Sequence, residues 1–178
     1  MISVFLKEQT KQQHDDTEAQ LQSQKIFDKS YTLEDYKKLL IHNYQLISRC
    51  EPQIREKLKN HTALQLDVRS KIKALQKDLA ALNIITKNEL PTHNLENEAE
   101  AFGALYVMEG STLGGNVIAK QLKKNPEFVD TEFNYFGIYG ENTGTLWQEF
   151  KQILDQAVTE EHYPDCVAGA KKAYQLLS

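Results

Sequence analysis

Leu105-Tyr-Val-Met-Glu-Gly110-Ser-Thr-Leu-Gly114-Gly115-Asn-Val-Ile-Ala-Lys-Gln-Leu122 reads as an apolar helix that carries three glycines. Each glycine inside a helix costs about 0.5–1 kcal/mol relative to alanine, so the backbone here is kept bare for a reason. Gly110 and Gly114 stand one turn apart, share a face and form a shallow trough. Two readings stay open on these residues. Either the helix kinks and something flat and bulky approaches its backbone, or a second helix packs closely through a small-xxx-small face.

Working outward, the remaining segments are helical nearly throughout. Ser3 is a candidate cap for a first helix running to Leu21, and Thr32-Leu-Glu-Asp35 has the form of a capping box opening a second, to about Lys59. Ile72, Leu75, Leu79 and Leu82 predict a third helix over about 66–82. A turn-rich stretch around Asn88–Asn94 leads into the central helix, about 95–124, which Asn125-Pro126 ends. Phe133–Gly140 reads as a packed aromatic loop, a short strand having no evident partner. Two final helices are expected over about 144–160 and 164–177. With no linker, repeat or low-complexity tract, the expectation is one all-α domain spanning residues 1–178.

The first helix adds a second feature. On a helical wheel Leu6, Thr10, His14, Thr17 and Leu21 fall on one narrow face, so His14 is expected to point at the core. A histidine on such a face is ordinarily a packed core residue. Here Glu18 lies one turn on, and Lys7 and Lys11 flank the same side. An imidazole, a glycine trough and nearby cations are what a heme requires: an axial ligand, room over one ring face and counter-ions for the propionates.

At these residues the chain resembles the heme oxygenase family, most closely its bacterial branch. The resemblance covers nearly the whole length. It runs through His14-x-x-x-Glu18, Tyr106-Val-Met-Glu-Gly-Ser-x-Leu-Gly-Gly115, and Phe136-Gly-Ile-Tyr139-Gly140 before Trp147-x-x-Phe150. It implies a helical bundle with a kinked, glycine-rich distal helix. It also implies His14 as the axial ligand of the heme iron, Gly110, Gly114 and Gly115 on the distal side, and Lys7 and Lys11 as propionate partners. Animal members carry an aspartate where this chain has Ser111, organising distal water; the bacterial branch has serine there. Tyr174 stands where a pocket-closing phenylalanine is usual. The activity implied is oxidative cleavage of heme, substrate and cofactor at once, with O2 and external electrons to biliverdin, CO and ferrous iron. Gly110, Ser111 and Gly114 would serve the chemistry, and a ferredoxin or reductase would supply electrons.

Composition bounds the alternatives. Hydrophobic residues are 40% and charged residues 26%, ordinary for a globular protein. A formal net charge of −4 and the lack of any Lys/Arg block argue against a nucleic-acid partner. No apolar run approaches the roughly 20 residues that span a bilayer, and Cys50 and Cys166 have no metal-type spacing, so a cytoplasmic protein with reduced thiols and no membrane partner is expected. None of the five histidines follows a carboxylate by three residues, as a di-iron site demands, and neither His-Glu-x-x-His nor Gly-x-Ser-x-Gly occurs. The rivals that remain are a heme carrier of the same fold without turnover and, more distantly, a thiaminase-like hydrolase using Cys50.

Overall fold

The computed structural model describes residues 1–86, 91 and 93–177. Among them the chain forms α1 (Ile2–Gln9), α2 (Lys11–Gln20), α3 (Gln24–Phe27), α4 (Leu33–Lys57), α5 (Ile72–Ala81), α6 (Glu98–Leu122), α7 (Thr143–Ala157) and α8 (Tyr163–Gln175), with short 3-10 turns between some of them and no strand. The all-α expectation holds. Of the turn-rich stretch before α6, Asn88, Glu89, Leu90 and Thr92 lie outside the described residues.

α6 is the axis of the molecule. Asn97 caps it, its side chain accepting from the Glu100 amide at 2.9 Å, and every residue from Ala99 to Glu109 is buried. A helix apolar on all sides must be surrounded, and α4, α7 and α8 do so. α8 comes closest. A Cβ on Gly103 would sit 1.8 Å from the Cys166 carbonyl oxygen, and one on Gly169 would sit 2.0 Å from that of Glu100. The two backbones therefore touch, and Ala170 and Ala173, both buried, continue the seam. The small-residue contact left open by the sequence exists, but at Gly103 and Gly169 rather than at Gly110 and Gly114. The α6 helix continues through all three later glycines to Leu122.

α4 starts as its capping box dictates: Thr32 Oγ1 accepts from the Asp35 amide at 3.1 Å, and the Asp35 carboxylate accepts from the Thr32 amide at 3.0 Å. α5 begins later than its apolar spacing suggested, at Ile72. The Glu51 carboxylate of α4 captures Ser70 Oγ at 2.5 Å and the Lys71 amide at 3.0 Å, so an acid from another helix caps α5 and holds the preceding residues in a turn. Asp78, on the buried face of α5, accepts from the amides of Asn134 at 3.1 Å and Tyr135 at 2.8 Å. That carboxylate pins the aromatic loop, whose Phe133, Tyr135, Phe136 and Tyr139 all turn inward.

The N-terminal expectation needs correcting. The helix breaks at Thr10 (φ −113°, ψ 8°), whose hydroxyl donates to the Leu6 carbonyl at 2.7 Å. Ser3 caps nothing; it lies inside α1 and ties it to α7, its amide and hydroxyl each donating to Asp155 at 2.8 Å. Past the break the wheel no longer applies. α2 buries none of its residues, and His14 is exposed rather than aimed at the core.

The backbone contact between α6 and α8 makes a clear prediction. Gly103→Ala or Gly169→Ala should cost at least about 2–3 kcal/mol, because the clash is with backbone and cannot be relieved by a rotamer change. Gly114→Ala meets nothing within 4 Å and should gain about 0.5–1 kcal/mol in the heme-free protein. Urea unfolding of the three variants checks both signs.

Candidate functional site

The glycines of α6 divide by what faces them. A Cβ on Gly110 would lie 3.4 Å from Trp147 Cη2 of α7, an ordinary contact; Gly114 has no neighbour within 4 Å; Gly115 is met at 3.0 Å by the Phe136 ring. Gly115 therefore accommodates the aromatic loop, while Gly114 is bare backbone on an open face. Leu113 and Val117 flank it, 40% and 43% exposed in a protein whose other large apolar side chains on α6 are mostly buried. At 100° per residue, Ser111 stands about 60° from Gly114 and about 40° from Gly115, at the boundary between the open face and the packed loop. It is half-buried, and its hydroxyl donates to the Met108 carbonyl at 2.8 Å.

His14 is on the N-terminal side of the molecule, on α2, which packs on α1 and α8. Its side chain is 55% exposed; Nε2 is 3.7 Å from Glu18 and Nδ1 is 3.5 Å from Asp15, loose approaches that leave the imidazole free to bind. Glu18 is near His14 but not hydrogen-bonded to it. Lys11 is exposed and paired at 2.5 Å with Asp15, which lowers the Asp15 carboxyl below its usual range, while Lys7 is exposed. Tyr174 of α8 is half-buried near Thr10, and burial pushes its phenol up to about 12. Elsewhere His61 contacts Glu98 at 2.9 Å and packs on Phe102, and His162 lies by Glu161 and Asp165.

Behind the open face lies a buried ionic cluster that the sequence reading missed. Glu109, immediately before Gly110, is 1% exposed and receives Arg69 at 2.5 Å, the Lys71 ammonium, and the Tyr139 hydroxyl at 2.9 Å. Lys71 Nζ also donates to the Arg69 carbonyl at 3.1 Å and to Tyr139 Oη at 2.9 Å, so each of its three protons has an acceptor. Arg69 reaches on to the Leu146 carbonyl of α7 at 3.3 Å. One carboxylate thus locks α6 to the segment before α5, to the aromatic loop and to α7. The signal was available: Glu109 interrupts an apolar run, and such an acid in a buried helix requires cationic partners.

A groove of about 260 Å3 lies along Asn97–Phe102 and Val158, some 12 Å before Gly110 along the helix axis. In its lining Asn97 Oδ1 is engaged in capping α6 and Glu98 contacts His61. Cys50 and Cys166 are buried free thiols, each pushed up to about 12 by desolvation. A nucleophilic cysteine needs the opposite shift, so a thiaminase-like use of Cys50 is not favoured.

Two measurements follow. Glu109→Ala leaves two buried cations uncompensated and should cost about 3–5 kcal/mol in urea unfolding. Both thiols should resist a disulfide thiol reagent at pH 8 and react once unfolded. Because their folded pKa is raised, their contribution to stability is intact below the unfolded value, near 9, and is lost as pH climbs towards 12.

Comparison with known proteins accords with this geometry. The sequence model of the heme oxygenase family matches residues 1–178. A heme oxygenase from Xanthomonas campestris pv. campestris (strain 8004) is 29% identical over 140 residues, 78% of this chain and 84% of that protein. The heme oxygenase of Neisseria meningitidis, known in NO- and CO-bound forms, has the same fold, with a TM-score of 0.79 at 22% identity over 99% of this chain and 88% of its own. The match of the first to the last residue, on a bundle whose central helix carries the glycine trough, means that this chain belongs to the heme oxygenase family.

Proposed function

We propose that the protein cleaves heme oxidatively to biliverdin, CO and ferrous iron, using O2 and electrons from a ferredoxin or reductase. The observation that carries this reading is the bare backbone of α6 at Gly114, flanked by exposed Leu113 and Val117, in a chain of this family. The residues fit a heme. An apolar face without a Cβ accepts a flat ring, and an exposed imidazole on another helix is the donor that ring's iron takes.

In this reading His14, with Glu18 one turn on, would hold the heme iron, and Lys7 and Lys11 would meet the propionates. Lys11 would exchange its pairing with Asp15 for that contact. Gly110 and Gly114 line the distal side, and Tyr174, half-buried on α8, closes it. Bound heme supplies the redox chemistry and the carbon skeleton that is cut. The chain supplies orientation, a restricted space and a hydrogen-bonding group, Ser111, at the edge of that space. A hydroxyl does not ionise usefully near neutrality, so Ser111 donates and accepts hydrogen bonds rather than acting as acid or nucleophile. Trp147 borders Gly110 and stacks on Phe150, giving that flank an apolar wall.

Among the described residues no helix is long and apolar enough to cross a membrane. Part of this reading is a cytoplasmic protein, where the free thiols of Cys50 and Cys166 stay reduced.

Protein given heme, a reductase and air should lose its heme absorption and release CO and a bilin. Decay that catalase suppresses would instead mark a carrier. His14→Ala should change the heme spectrum by removing the axial ligand; an unchanged spectrum and affinity would move the ligand elsewhere. Ser111→Ala should slow turnover by about 2- to 12-fold, the value of one ordinary hydrogen bond.

A further inference from the structure

The connector into α6 is tied down through its backbone. The His93 amide donates to the Arg49 carbonyl of α4 at 2.9 Å, and Arg49 Nε donates to the Pro91 carbonyl at 2.9 Å. Lys172 of α8 donates to the Asn94 carbonyl at 3.3 Å, and Lys57 of α4 to that of Glu96 at 3.1 Å. Leu95 is fully buried between these ties, and the Glu96 amide donates to Glu100 Oε2 at 2.9 Å. In their midst stands His93, the side-chain type whose ordinary titration falls closest to neutral pH.

The His93 ring is half-buried, and its Nε2 is shielded from solvent with no hydrogen-bond partner. A neutral imidazole leaves one weak polar atom unmet there. An imidazolium carries a proton on both nitrogens, so protonation puts a charged N–H where nothing accepts it. The charges facing the ring come from all three helices around it: Arg49 of α4, Lys172 of α8 and Glu100 of α6. Glu100 is the single carboxylate among them, and its Oε2 already receives Lys172 at 2.6 Å as well as the Glu96 amide. Two cations thus oppose a third. Burial first, then Arg49 and Lys172, hold the imidazole below its ordinary 6.5, with Glu100 pulling the other way.

We propose that His93 is an acid-sensitive latch on the start of α6. Neutral, its ring fills the space between α4, α6 and α8 and the backbone ties form around it. Protonated, it leaves that space, and the connector from His93 to Asn97 comes away with it. The seam at Gly103 and Gly169 is made by backbone contact and contains no group that titrates, so the release stays local. A released connector has an ordinary histidine and binds the proton more readily than the closed form. The latch is therefore fully engaged above about pH 6.5 and is lost as pH falls through the lower folded value. One proton is linked to opening, so within that window the open fraction rises by up to about tenfold per pH unit. The inference makes no use of the heme-cleaving reading.

Two measurements on heme-free protein test it. In a proton NMR titration from pH 8 to 5, the His93 ring signal, identified by its loss in His93→Phe, should titrate below 6.5. Arg49→Met removes one facing cation from a partly exposed position and should move that midpoint upward. In native-state hydrogen exchange the amides of residues 93 and 96 should lose protection by up to about tenfold per pH unit across the window, after correction for the chemical pH dependence of exchange. The amides of Val107 and Met108, deep in α6, should keep theirs, and in His93→Phe the acid loss at residue 96 should vanish. A His93 midpoint at or above 6.5 overturns the proposal. So does an acid loss that persists in His93→Phe, or one that spreads to Val107 and Met108 and so reports unfolding of the whole helix. Should His93→Phe fail to fold, the Arg49→Met shift and the contrast between residues 96 and 107 in the wild type still decide it.

Discussion

Everything in this molecule is arranged around the place where the backbones of α6 and α8 touch. At Gly103 and Gly169 no side chain separates the two helices, and each glycine faces a carbonyl of the other helix at a distance that excludes even a methyl group. Such an approach maximises dispersion contacts along the seam and leaves no slack for sliding. It also divides α6 into two functional halves. The first, from Ala99 to Glu109, is enclosed on all sides; the second, from Gly110 on, alternates between buried and exposed residues. A helix held rigidly over its first three turns can leave its next two underpacked, and the open backbone at Gly114 depends on that.

The Glu109 cluster secures the junction between the halves. Burying a carboxylate, a guanidinium and an ammonium carries a desolvation cost of several kcal/mol per ion, which close pairing offsets but does not clearly exceed. Its value lies in geometry. Oil-like side chains at the same position would tolerate small rotations of α6, whereas Arg69, Lys71 and Tyr139 meet the two oxygens of Glu109 in one orientation only. The residue after Glu109 is Gly110 and the next is Ser111, so that orientation is passed to the rim of the trough. Asp78 and Glu51 do comparable work from α5 and α4, using single carboxylates to hold backbone amides of the aromatic loop and of the turn before α5.

Much of the site could be read from local pattern because local rules produce it. The capping box at Thr32, the glycines of α6 and the order of the motifs are short-range features, and each appears where its residues place it. The expectation for His14 failed at one residue. A wheel assumes an unbroken helix, and the break at Thr10 re-aims all that follows, turning a supposed core histidine into an exposed one. Neither the break nor the Ser3–Asp155 bond that anchors α1 is encoded within a window of a few residues; Asp155 lies 152 positions away.

Which glycines serve packing and which leave space shows the same division. From sequence, Gly110, Gly114 and Gly115 were one motif, and Gly103 and Gly169 were unremarked. Their roles separate only when neighbours arrive: Cys166, Glu100 and Phe136 fill the space at three of them, Trp147 borders a fourth, and Gly114 is left open. The sequence by itself determined the helical class, the boundaries at the Thr32 cap and at Pro126, and the presence of a bare helix face, because periodicity and backbone propensity act over a few residues. The tertiary structure alone decided which glycine faces a neighbour, where His14 points, and which cations Glu109 meets. Those are properties of pairs far apart along the chain, and one-dimensional pattern carries no term for them.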